Sequence, residues 1–73
     1  MARAAVIGEA VRAAGFALAG AVVLAAENPE EARAAWRELP ADIAVLVLTG
    51  RAAAWLGDEP QPRRDVLLAV MPV

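Results

Sequence analysis

Glu9, Thr49 and Arg51 are the side chains of this 73-residue chain best placed to do chemistry. Glu9 follows the apolar run Ala4 to Ile7 and Gly8, and Thr49-Gly50-Arg51 follows the apolar run Ile43 to Leu48. A carboxylate, a hydroxyl and a guanidinium at the ends of two strands could hold a small anion or begin acid–base work. Around them the supply of reactive groups is thin. The chain has no histidine, cysteine, tyrosine, serine or lysine. The commonest metal ligand and general base are therefore missing, as are thiolate chemistry, disulfides, Schiff-base formation and a P-loop lysine.

Three chemistries are testable at these positions. A dinucleotide site needs G-x-G-x-x-G after the first strand, but after Gly8 the next glycine is Gly15. A receiver-type phosphotransfer site needs acids after strand one, an aspartate after strand three and a lysine. Here Glu9 is the only acid in the first place, and Thr49-Gly50 stands in the second. Hydrolysis needs an acid, nucleophile or metal partner for Glu9, and the sequence offers none; Glu9 reads as a helix-opening charge. Gly50-Arg51 reads as a tight strand-to-helix turn with an exposed arginine, rather than an anion site. No catalytic residue, cofactor or metal is expected.

The elements that position these residues alternate. Ala4 to Ile7 reads as a buried strand, and Glu9 to Ala19 as a helix stopped by Gly20. Gly15 inside that helix costs roughly 1 kcal/mol relative to alanine and needs a reason. Close packing around Phe16, bracketed by Gly15 and Gly20, is the expected one. Ala21 to Ala25 is a second strand. Asn28-Pro29-Glu30-Glu31 is an N-cap, a first-turn proline and a capping-box glutamate. Ala32, Ala35, Trp36 and Leu39 then recur at i, i+3, i+4 and i+7. That spacing predicts an amphipathic helix ended by Pro40, with Trp36 anchoring its buried stripe. Asp42 to Thr49 is a strand with an unbroken apolar centre, the pattern of a parallel strand buried on both faces. Arg51 to Leu56 forms a short helix ending at Gly57, 58–65 a polar loop, and Val66 to Met71 a fourth apolar strand. Strand–helix alternation predicts one α/β domain over 1–73, a parallel sheet in order 2-1-3-4, half of a doubly wound fold.

Composition limits the partners. Hydrophobic residues make up 60% of the chain, enough to fold. A net charge of −2 argues against nucleic acid. The apolar runs are too short to cross a membrane, so a cytoplasmic protein is expected. A domain this small has a marginal core, which predicts that the isolated chain self-associates or binds another protein.

Ala5-Val6-Ile7-Gly8 followed by Gly15-Phe16-Ala17-Leu18-Ala19-Gly20 resembles the opening of the F-type stalk component of the vacuolar/archaeal-type (V/A-type) rotary ATPases. Asn28 to Ala32 with Trp36 resembles that family's glutamate-rich second helix. Asp42 to Thr49 resembles its third strand, and Val70 to Val73 its fourth strand end. Ala17 departs from the polar residue common there. The family usually continues into a C-terminal segment with a helix, whereas this sequence ends at Val73. The resemblance implies a non-catalytic component of the central stalk, peripheral to the membrane. Such a component binds the stalk's long coiled-coil D protein and couples ATP hydrolysis or synthesis to ion transport. Gly15, Phe16, Leu18 and Gly20 would be packing positions of its motif, and Arg51, Trp55 and Leu56 are the expected partner contacts. A stand-alone receiver-like interaction module without phosphotransfer is the alternative.

Overall fold

A computed structural model describes residues 3–18, 20–57 and 65–71, with the side chains of 16–18 outside that description. Four parallel strands form one sheet in the order β2-β1-β3-β4. They are β1 (Arg3–Gly8), β2 (Val22–Ala25), β3 (Ile43–Leu48) and β4 (Leu67–Val70). Three helices connect them: α1 (Ala10–Leu18), α2 (Pro29–Arg37) and α3 (Gly50–Leu56). The α/β class and the strand order match the sequence reading, and element ends agree to within a few residues.

The core lies on the sheet face that α2 and α3 share. Ala5, Ile7, Leu46 and Leu48 meet Ala32 and Trp36 of α2 and Ala52 and Leu56 of α3. Trp36 is 5% exposed, as an anchor of the α2 stripe must be. Ala35 and Leu39 pack against the same cluster, partly buried. On the other face α1 lies over β1 and β2, and Val6 and Ala13 are fully buried there. The sheet is clamped at its amino end by Arg3, whose Nε and Nη2 both donate to the Asp42 carboxylate, the second bond at 2.8 Å. This fork ties the start of β1 to the start of β3 and has no signature in the sequence.

β4 departs from expectation. Its four residues are apolar, yet all are exposed, with Leu67 at 67% and Val70 at 53%. An apolar strand is buried on both faces only if helices cover both. β4 pairs with β3 alone, at the edge of the sheet, and α1 sits over the opposite half. β3 itself is mixed: Ile43, Leu46 and Leu48 are buried, and Ala44, Val45 and Val47 are half-buried.

The two glycines bracketing Phe16 differ in role. Gly20 has φ +86°, a conformation that favours glycine, and it follows the helix as its stop. Gly15 has an ordinary φ and is exposed, and an added Cβ would meet nothing among the described residues within 4 Å. The expected close packing at Gly15 is therefore corrected. α1 turns that position outward, so the glycine there is not required by any described neighbour. Phe16 and Leu18 belong to the same motif, and their side chains lie outside the described residues.

Candidate functional site

Order 2-1-3-4 makes the chain leave β1 toward one edge and β3 toward the other. The carboxyl ends of β1 and β3 are thus the point where the winding reverses, and a crevice opens there in such sheets. A cleft of about 570 Å³ occupies this point, lined by Glu9, Val11, Arg12, Gly50, Arg51 and Ala54. The first turns of α1 and α3 form its walls. Glu9, Thr49 and Arg51 are expected around this junction from the sequence, and the fold brings all three to it.

Thr49 is the hub. It is fully buried, and its Oγ1 accepts from the Ala52 N–H at 3.2 Å, capping α3. The same hydroxyl donates to Oε1 of Glu9 at 2.5 Å. Its side chain fills the space beside Gly8. A Cβ on Gly8 would lie closer than 3.0 Å to Cβ, Oγ1 and Cγ2 of Thr49. Glycine at position 8 is what lets β1 and β3 share this hydroxyl, a close approach that the glycine spacing alone does not reveal.

Glu9 opens α1 by its main chain: its carbonyl accepts from the N–H groups of Arg12 and Ala13 at 3.0 and 2.9 Å. Its carboxylate turns to Thr49 instead of capping its own helix. The Thr49 hydroxyl bond is the first cause of a carboxyl pKa below the ordinary glutamate range. Glu9's own N–H and the positive charges of Arg51 and Arg12 lower it further, against a smaller cost of burial. The N–H of Ala10 is capped instead by the carboxylate of Glu27, 17 residues away, at 2.8 Å. Sequence reasoning missed Glu27. Local capping rules look only one turn upstream, and this contact depends on β2 returning beside β1.

The expected partner contacts separate. Arg51 is exposed and lines the cleft. Trp55 is half-buried against the core. Leu56 is 4% exposed, sealed between α3 and the sheet, so its side chain presents nothing to a partner. Arg12 and Val11, not singled out from sequence, stand in the cleft with Arg51, and Val11 is 92% exposed.

As chemistry the arrangement is sparse. Glu9 is a charged acceptor held by a hydroxyl, with no second acid, nucleophile or base beside it in the cleft. Among the described residues no group of three or more acidic side chains converges on a possible metal position. No described helix is long and apolar enough to cross a membrane.

A family model described as ATP synthase (F/14-kDa) subunit matches residues 4–73. The match spans nearly the whole chain, and the chain belongs to this family, that of the F component of the V/A-type ATPases. Among curated proteins, none matches the chain significantly.

Proposed function

We propose that this chain is a non-catalytic component of the central stalk of a rotary ATPase, which binds the stalk's coiled-coil D protein and turns with it. Membership of the F/14-kDa family carries the reading, because it makes the chain part of an ATP synthase or ATPase complex. On this reading the domain transmits force and conducts no reaction of its own. ATP hydrolysis or synthesis occurs elsewhere in the complex, and ion transport in its membrane part. A sheet clamped at its amino end by the Arg3–Asp42 fork and at its carboxyl end by Gly8, Thr49 and Glu9 suits a body that must rotate without deforming. The protein would sit on the cytoplasmic side, peripheral to the membrane, with other ATPase subunits as further partners.

Co-expression with the coiled-coil protein of the same stalk tests this. The expected result is a one-to-one complex by light scattering. Recovery of the folded chain and the folded coiled coil as separate species would overturn the reading.

A further inference from the structure

We propose that the cleft between the first turns of α1 and α3 is a docking site for an acidic segment of the coiled-coil partner, with Arg12 and Arg51 receiving its carboxylates. The inference rests on the stalk reading and names the surface and the chemistry of the contact.

Charge decides the class of occupant. The chain as a whole carries −2. The cleft carries the opposite sign, with Arg12 and Arg51 against Glu9 leaving +1 (two positive charges less one negative). Glu9 is committed to the Thr49 hydroxyl. The neighbouring Glu27 is committed to the Ala10 N–H and does not line the cleft. Neither arginine has an ion-pair partner among the described residues, in contrast to Arg3, which is forked onto Asp42. Two guanidiniums, fixed on separate helices and facing one cleft, present paired forks that match carboxylate geometry.

Apolar surface decides between a macromolecule and a small anion. Val11 stands 92% exposed in the cleft, and Ala54 is exposed on the facing wall. An isolated phosphate would leave both in water. A helical segment with carboxylates flanking an apolar residue would cover Val11 and Ala54 while pairing both arginines, the mixture of aliphatic and arginine contacts usual at interface centres. Such faces occur along a coiled coil, where charged positions flank the apolar seam.

The test uses the full chain and its coiled-coil partner, with affinity measured from low to high salt. The charge reversal Arg12→Glu with Arg51→Glu is expected to weaken binding by roughly ten-fold or more at low salt, with a flatter salt dependence. Its melting temperature should stay unchanged, because both side chains are exposed. Should the reversal disturb folding, Arg12→Gln with Arg51→Gln gives the same reading, with a smaller loss. Equal affinity of a folded variant and the parent would overturn the docking site and leave the stalk reading standing. Absence of binding by the parent would overturn both. Stabilisation of the isolated chain by ATP, ADP or inorganic phosphate, lost in the arginine variant, would assign the cleft to a small anion and overturn the proposal.

Discussion

α1 and α2 are each nine residues long, and they are built on opposite plans. α2 carries its own instructions. Asn28 Oδ1 accepts from the Glu31 N–H at 2.8 Å, and Glu31 reaches back to the N–H of Glu27 at 2.8 Å. Pro29 opens the helix, Arg37 lies in its last turn, and one stripe meets the core. α1 has no acidic residue in its first turn and no basic residue in its last. Its N-terminus is capped by Glu27 from the far side of β2, and Glu9 at its start is held by Thr49 from the end of β3. Outward it shows Val11, Ala14 and Gly15, where α2 shows Glu30, Arg37 and Glu38. A helix can thus be specified by its own neighbours in sequence or by the sheet it docks on. Only the first kind is visible before folding.

Truncating the anchor of each helix breaks this comparison most severely. Trp36→Ala removes the largest side chain of the α2 face from the core and should cost about 3–5 kcal/mol, enough to unfold a domain of this size. Val11→Ala, on the exposed side of α1, should stay within about 0.5 kcal/mol of the parent. Chemical denaturation of both variants checks the pair. A comparable loss from Val11→Ala in the isolated chain would mean that α1 buries this residue in solution.

The same contrast explains what is legible in the sequence. The strand order and α2 are readable because they rest on alternation, capping residues and a 3.6-residue stripe. The junction of β1 and β3 is readable as a place, since its position follows from topology. Its contents are not. The hydroxyl bridge from Thr49 to Glu9 spans 40 residues, and the Glu27 cap spans 17. Gly8 has the setting of a phosphate turn, yet it is small because Thr49 occupies its side-chain space. β4 defeats the sequence reading for a related reason. Apolar composition states what a strand could bury, and only the positions of the helices decide whether it does.

Thr49→Val sharpens the comparison at an intermediate scale. The shape is kept, while the cap on Ala52 and the bond to Glu9 are lost, at a cost of about 1–2 kcal/mol. Asn28→Ala, which removes the local cap of α2, should cost about 1 kcal/mol. The two variants differ in pH dependence. Glu9 titrates below the ordinary glutamate range in the fold, so its contribution is complete above that range and is lost as pH falls through its lowered value. Asp42, lowered chiefly by its bond from Arg3, loses stability over acid pH in every variant. The difference between parent and Thr49→Val therefore isolates Glu9. Melting temperatures from neutral to acid pH should converge for these two proteins, while parent and Asn28→Ala stay parallel. Parallel curves for Thr49→Val would show that the hydroxyl does not hold the carboxylate.

Gly15→Ala is the smallest change and the one with the unusual sign. A glycine inside a helix loses more conformational freedom on folding than alanine does. At Gly15 nothing described lies within 4 Å of the added methyl group, and the backbone φ is ordinary. The substitution should therefore raise stability by about 0.5–1 kcal/mol in the isolated chain. In α2 no comparable gain is available, because Ala32, Ala34 and Ala35 already hold its alanine positions. Parallel melts of parent and variant, alone and with the coiled-coil partner, read two properties at once. A gain in the isolated chain that carries over unchanged to the complex places Gly15 away from the interface. A gain in the isolated chain with weakened binding in the complex would mean that glycine is kept at position 15 for close approach of the partner. A loss in the isolated chain would show that α1 turns this position inward, and the outward face assigned to α1 would have to be redrawn.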